Sequence, residues 1–384
     1  MRDCHLEIEQ WLSAAGAKTH VDAAGNLHGL YAGEEVNAPR LLIGSHLDTV
    51  PNAGAYDGIL GVVIGVALLE SLSLEKRRLP FAIELLGFSE EEGVRFGVPF
   101  IGSRALVGRI DEPLLNRKDG SGITIREAIQ SFGLSPAEIG RAPLSGNALG
   151  YLEFHIEQGP VLESLERPLG TVEAIAAQIR IKFEFIGRTN HAGTTPMHLR
   201  KDALAAAAEW IVAVESTAKS HPGLVATVGQ IEARPGAINA IAGAAVVSLD
   251  VRHSSDEICE GAAEQLARAA EEIAKRRGLT LKRTELLKQR AVKLDGFLCK
   301  QIEDAIRSIG CEPHRMVSGA GHDAMILAEK VPSAMIFLRC PGGISHDPAE
   351  SVRVDDVAKA MECGLQLLDK LAKSSEFQKR ICRA

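Results

Sequence analysis

The sequence predicts an α/β protein: a mostly parallel sheet flanked by helices, with a smaller ferredoxin-like domain inserted into it. Three observations predict this. Both ends of the chain alternate short apolar runs with helical stretches, the middle carries strictly alternating segments, and 384 residues give a prior of two to three domains. The first block extends to about residue 177. In it, Arg40–Ile43 and Pro80–Phe88 are apolar runs bounded by turns or charge, as in strands covered on both faces. Between them, Ile59–Leu69 is apolar throughout and stopped by Asp57 and Glu70. It falls far short of the roughly 20 residues that cross a bilayer, and reads as a buried helix with Gly61 and Gly65 at close-packing positions. This is the rhythm of βαβ units. Near the other end, Ser333–Leu338 is a further buried strand, followed by a loop and an amphipathic helix from about Asp355 to Leu371.

The middle differs. Ile179–Ile186 alternates with the period of a half-exposed strand. Thr195-Pro196 is expected to open an Ala-rich helix to about Ala218, with Thr195 as N-cap and Pro196 at the first helical position. Leu224–Ile231 and Ala245–Val251 read as strands. Ser255 caps a second helix to about Arg277, Gly278 ends it, and Leu279–Leu287 reads as the last strand. The order β-α-β-β-α-β places an inserted domain at 179–288, within a larger domain of 1–178 and 289–384. No internal repeat or low-complexity tract is present.

Composition narrows the function classes. The chain is 46% hydrophobic, 24% charged and 4% aromatic, an average soluble profile. Its 43 basic and 50 acidic residues give a net charge of −7, which argues against a dedicated nucleic-acid binder. The seven cysteines are scattered and never form a CxxC pair, so neither a disulfide framework nor a cysteine zinc site is expected. The opening MRDCHLEIEQWL lacks the basic flank and apolar stretch of a secretory signal, and a cytoplasmic, membrane-free protein is expected.

Four stretches collect polar residues in loops after strands. GSHLDTV and the following AYDG supply His46, Asp48 and Asp57; Asp48 could orient the imidazole while His46 ligates a metal, or the pair could be structural. FSEEEGVRF sets Glu90, Glu91 and Glu92 directly after a buried strand, where α/β folds put active sites. Adjacent carboxylates repel, and bound cations would relieve that; a solvated acidic turn is the plainer alternative. YLEFHIEQGP ends a strand at His155, which alone would pass for a satisfied core histidine. SGAGHDA and GGISHDP each set one histidine, His322 and His346, in a glycine-rich loop. Jointly His46, Asp57, Glu92, His155 and His346 offer three imidazoles and two carboxylates, a set that suits zinc or manganese, with Asp57 able to bridge two ions. Spacing alone does not assign these ligands.

The motifs GSHLDTV, YDGILGV, EEGVRFG, HIEQGP, NHAGTTPM, GAGHDAM and GISHDPAE stand here in one order along nearly the whole chain. In them the sequence resembles the M20 metallopeptidase-like amidohydrolases, in particular the hydantoinase/carbamoylase branch of allantoate amidohydrolase, N-carbamoyl-L-amino acid hydrolase and β-alanine synthase. The resemblance implies a dinuclear metallohydrolase catalytic domain, two divalent ions (zinc or manganese) on His46, Asp57, Glu92, His155 and His346 with Asp57 bridging, and Glu91 as the catalytic base. It implies that the inserted domain is a lid and dimerisation element of a homodimer, that Arg252 in LDVRH clamps a substrate carboxylate, and that Gln158 and Asn239 are polar partners of the substrate. His191 and His322 are implied to support the oxyanion or the substrate's polar end.

The implied activity is hydrolysis of the ureido (N-carbamoyl) C–N bond of a small carboxylate, with allantoate as first choice and N-carbamoyl-L-amino acids or N-carbamoyl-β-alanine as the alternative. An M20 peptidase or aminoacylase, and an inactive binding protein of the same fold, are the more distant rivals. Family members carry an additional helical stretch before the point where this sequence begins, so an internal start or a trimmed catalytic domain is expected.

Overall fold

The structure is a computed structural model that describes residues 1–144 and 147–382. It divides into two units, Met1–Glu173 with Lys293–Ala384, and Ala174–Val292. Along the chain the strands are β1 (Lys18–Val21), β2 (Leu27–Tyr31), β3 (Arg40–His46), β4 (Ala82–Phe88), β5 (Ala148–Ile156), β6 (Leu169–Ile175), β7 (Ala177–Ile186), β8 (Val225–Thr227), β9 (Ile231–Arg234), β10 (Ala244–His253), β11 (Thr280–Gln289), β12 (Val292–Lys293), β13 (Arg315–Ser318) and β14 (Ser333–Leu338).

Among the described residues, the first unit is built on a sheet of order β1-β2-β4-β3-β5-β14-β6-β12, with β13 on β6. Its centre is parallel: β3 pairs in parallel with β4 and β5, and β14 with β5. Toward the edges the pairing turns antiparallel, β2 on β4 and β6 on β14. Every residue of β4 and of β14 is buried, in keeping with their mostly apolar sequences, and Glu84 of β4 is the one charged residue among them. The helix Ile59–Leu74 is buried along most of its length; its Gly61 lies against the Phe154 carbonyl of β5 and its Gly65 against Leu85 of β4, so larger side chains would force helix and sheet apart. The helix Val354–Lys373 buries Ala360, Cys363, Gly364, Leu367, Leu368 and Leu371, the stripe expected of an amphipathic helix.

Because the central strands are parallel, their C-terminal ends share one edge. His46 of β3 is in register with Phe88 of β4, and His155 of β5 with Phe337 of β14. The loops bearing Glu90–Glu92, Gln158 and His346 leave from that edge.

The second unit has an antiparallel sheet of order β11-β7-β10-β8, with β9 on β10. Strand β10 alternates between half-buried and buried residues. Its buried side, Val247, Leu249 and Val251, joins Ile181, Phe183 and Phe185 of β7 and the helices Ala203–Ser220 and Asp256–Arg276 in one core around Trp210 and Leu266. The Trp210 indole N–H donates to the Leu266 carbonyl at 2.8 Å, so the largest side chain of that core leaves no donor unmet.

Three expectations are corrected here. The Ala-rich helix starts at Ala203 with Asp202 as its cap, not at Thr195; the Asp202 carboxylate accepts from the Ala205 N–H at 3.1 Å. Thr195-Pro196 stays in a loop because the Arg200 guanidinium donates to the carbonyls of Thr195 and Ala192, leaving only a short 3-10 turn at Met197–Leu199. The strand expected over Leu224–Ile231 is broken into β8 and β9. Each pairs with a different part of β10, and the Ser248 hydroxyl accepts from the Gln230 N–H between them. The units divide at 174 and 292 and not at 179 and 288, since β7 and β11 stay paired out to Gln178 and Gln289.

Candidate active site

At the sheet edge, the histidines that close β3 and β5 are fixed by backbone carbonyls. His46 Nδ1 lies 2.9 Å from the Asp48 carbonyl and His155 Nδ1 2.8 Å from the Ile156 carbonyl. A carbonyl oxygen only accepts, so each Nδ1 carries the proton, and in the neutral ring each Nε2 presents a lone pair. These nitrogens face one another at 3.3 Å and lie 3.4 and 3.2 Å from Oδ1 of Asp57. On the other side of the same carboxylate, His346 Nε2 is 3.3 Å from Oδ2 and 3.7 Å from Oε1 of Glu92. His46, Asp57 and His155 are buried, whereas the His346 side chain is 47% exposed, so the cluster opens toward solvent at His346.

Local backbone serves this convergence. Gly58 has φ +72°, and a Cβ there would collide with the His46 ring, so only glycine lets Asp57 sit beside that imidazole. Glu90, Gln158 and His346 hold positive φ of 58°, 56° and 59° without being glycines, three strained positions at one site.

The acidic turn is held by Asp48, whose Oδ1 and Oδ2 accept from the N–H groups of Glu91 at 3.0 Å and Glu92 at 3.1 Å. Asp48 was expected to orient His46 through its carboxylate. Its backbone carbonyl does that instead, because the carboxylate is taken by the turn. Glu91 is buried, with Oε2 4.0 Å from His46 Nε2. Burial first, and then the charges of Asp323, Glu92 and Asp48 acting against His46, push its pKa well above the usual carboxylate range.

The donor set fits divalent cations. Oδ1 of Asp57 and Oε1 of Glu92 are buried without a hydrogen-bond partner, an expensive state for carboxylate oxygens. Protonating both His46 and His155 would set two cations face to face at 3.3 Å, and protonating neither sets lone pairs against a carboxylate. A cation resolves both conflicts. His46–Asp57–His155 and Asp57–Glu92–His346 each bring their ligand atoms within 4.8 Å of one another, and the two sets share Asp57.

Two residues that the resemblance implies as substrate or oxyanion contacts, Gln158 and His322, lie against the ligand cluster. Gln158 Nε2 donates to Asp57 Oδ2 at 2.7 Å, an oxygen that also accepts from the Ser345 hydroxyl at 2.8 Å. His322 is buried behind His155, ring centroids 4.5 Å apart, with Nε2 2.8 Å from the Ser318 hydroxyl. Burial drives its pKa well below the ordinary value, so it stays neutral and packs behind His155, away from solvent.

His191, Asn239 and Arg252 belong to the second unit. His191 and Asn239 are exposed on adjoining segments, where the Ala192 N–H donates to the Asn239 carbonyl at 2.9 Å. Arg252 forms a two-pronged pair with Asp250 at 2.7 and 3.0 Å, and Asp250 also accepts from Arg180 and Gln178.

Sequence reasoning missed the buried acids around the cluster. Glu153, on β5 beneath His155, accepts from the Ser45 hydroxyl and the Ala324 N–H. Asp323 is fully enclosed, and burial first and Glu153 second raise its pKa well above normal. Glu153 sits in YLEFHI two positions from a ligand candidate, a polar residue in an otherwise apolar strand, which was the available signal.

The model of Peptidase family M20/M25/M40 matches residues 42–370, a span that contains every residue of this cluster. The chain belongs to this family. Within it, the chain is 40% identical over 357 residues to the N-carbamoyl-L-amino acid amidohydrolase of Geobacillus stearothermophilus, covering 92% of this chain and 87% of that protein. It is 37% identical over 407 residues to allantoate deiminase 2 of Glycine max, covering 97% and 83%. Among solved structures, an amidase of the hydantoinase/carbamoylase family from Burkholderia multivorans superposes with a TM-score of 0.90 at 31% identity, covering 98% of this chain and 89% of that one. M20 membership accounts for the mixed α/β fold with its mostly parallel central sheet, and for a polar cluster at the end of that sheet.

Proposed function

We propose that this M20 protein is a metal-dependent amidohydrolase that cleaves the ureido C–N bond of a small carboxylate, allantoate first and N-carbamoyl-L-amino acids as the alternative. The observation that carries this reading is the convergence of the His46 and His155 lone pairs on an unpartnered oxygen of Asp57, with buried Glu91 alongside. The likeness to an allantoate deiminase and a carbamoyl-amino-acid amidohydrolase selects the ureido bond over the peptide bond.

His46, Asp57 and His155 would hold one divalent ion, and Asp57, Glu92 and His346 a second; zinc and manganese both suit the set. Such ions, when bound, polarise a carbonyl and make water a stronger nucleophile. Glu91 takes a proton from the attacking water and returns it to the nitrogen that leaves when the ureido C–N bond breaks, and the carbamate released decays to ammonia and carbon dioxide. His155 is held in its tautomer by the Ile156 carbonyl and backed by His322, and Gln158 holds Asp57. From the second unit, Arg252 is assigned to the substrate carboxylate and His191 and Asn239 to its polar end. That unit is read as the lid and the dimerisation element of a homodimer.

The test is a substrate panel of allantoate, N-carbamoyl-L-amino acids, N-carbamoyl-β-alanine and dipeptides after loading with manganese or zinc. Ammonia release from a ureido acid is expected; turnover of dipeptides alone would overturn the reading. Light scattering should find a dimer, and a fully active monomer would contradict the assigned role of the second unit.

A further inference from the structure

Glu350, in the loop that carries His346, has no assigned part in the chemistry and yet is buried at 5% exposure. Its Oε1 accepts from the backbone N–H groups of Tyr56 at 2.9 Å and Asp57 at 3.1 Å, nearly 300 residues away in sequence. Its Oε2 lies 3.2 Å from the Ser345 hydroxyl, which in turn lies 2.8 Å from Oδ2 of Asp57. A side chain at position 54 would run into the Glu350 side chain, so the loop before Asp57 is fitted against it with no room to spare.

From this geometry we infer that Glu350 is a positioning residue for the metal centre: it ties the backbone of Asp57 to the loop of His346, so that the shared carboxylate and the solvent-facing imidazole keep one spacing. Among the described residues the two N–H groups donate to no backbone carbonyl, and the Gly58 turn that follows cannot itself fix Asp57, because glycine is the most permissive residue for the backbone. His346 most needs such a tether, since it is the exposed member of the cluster and sits at a strained positive φ. Glu350 would not touch a metal ion. It acts through Asp57 and His346, as partners behind metal ligands do when they set ligand orientation.

The inference rests on the ligand set proposed above, and cobalt binding separates the two. Apo-protein is titrated with Co2+ against a competing chelator, and the visible absorption of the bound ion is recorded. Glu350→Ala should weaken cobalt binding by about 10–100-fold and alter the band. Glu350→Gln keeps an amide oxygen for the two backbone N–H groups and should recover most of the affinity. Wild-type affinity and spectrum in Glu350→Ala, or equal losses in both variants, would overturn the positioning role. Should Glu350→Ala not fold, Glu350→Asp is measured in its place; its carboxylate is one methylene short of the Tyr56 and Asp57 N–H groups, so weaker cobalt binding supports the tether and unchanged binding overturns it. Asp57→Asn serves as the reference: cobalt held by that variant as in wild type would remove the ligand set itself, whatever Glu350 does.

Discussion

Two buried groups of histidine and carboxylate lie in the first unit, and they are built to opposite ends. In one, His28 of β2 sets Nδ1 2.8 Å from Oε1 of Glu84 and Nε2 3.4 Å from Oδ2 of Asp22, while Arg40 reaches Oε2 of Glu84 at 2.7 Å. Two cationic groups meet two carboxylates, and both ring nitrogens are used. In the other, His46 and His155 spend one nitrogen each on a backbone carbonyl and aim the second at an oxygen with no hydrogen-bond partner. The first group is closed by its own charges. The second is short of positive charge at its centre, and that deficit marks a place for a cation. Residue type does not separate the two; what the second ring nitrogen faces does.

The contrast breaks most sharply at Glu91. Glu91→Gln should lower turnover by about 10²–10⁴-fold while metal content and melting temperature stay near wild type, because the group moves a proton and holds little else. Unchanged turnover would remove its assigned role. His28→Gln should do the reverse. Removing one partner of a buried ion pair costs about 3–5 kcal/mol, so urea unfolding should shift to lower concentration while metal binding and kcat hold. Loss of metal from that variant would mean the two groups are not independent. Gly58→Ala sits between these extremes: strain at positive φ plus contact with the His46 ring should cost about 1–3 kcal/mol and weaken metal binding, with chelator competition as the readout.

The smallest effect is on pH dependence. Burial opposes charge on His28, but its hydrogen bonds to Asp22 and Glu84 outweigh that and hold its pKa up at about 9. A histidine whose pKa is raised by folding contributes stability fully present below its unfolded value near 6.5 and lost as pH rises through about 9. Asp22 and Glu84 are shifted down despite their burial, so their share is present above their ordinary values and lost on acidification. The melting temperature of wild type should therefore fall between pH 6.5 and 9 more steeply than that of His28→Gln. Equal slopes would contradict the closed ion-pair network.

Which parts of this were legible in the sequence follows from range. The buried strand Ser333–Leu338 and the helix capped by Ser255 are local patterns, and the structure has both at those positions. The start of the Ala-rich helix departs from its Thr-Pro cap signal because that signal is local while the Arg200 side chain that holds Thr195 in a loop comes from further along the chain. In the site, His46, Asp57, Glu92, His155 and His346 were named from motifs, and the structure draws them together. The partners of Asp48, Gln158 and His322 turn on which of several donors or acceptors each side chain meets, which spacing does not encode. The His28 network has no local signal: Glu84 lies inside a mostly apolar strand, and only the register of β2, β3 and β4 brings it to His28 and Arg40.

The central claim is that the Asp57 cluster exists to hold divalent cations, and metal analysis of purified protein tests it most directly. Wild type loaded with manganese or zinc and then desalted should retain two ions per chain and lose its turnover on chelation, while Asp57→Asn, folded by circular dichroism, should retain few or none. Wild type that binds no divalent ion, or Asp57→Asn that keeps the full complement, would contradict the account.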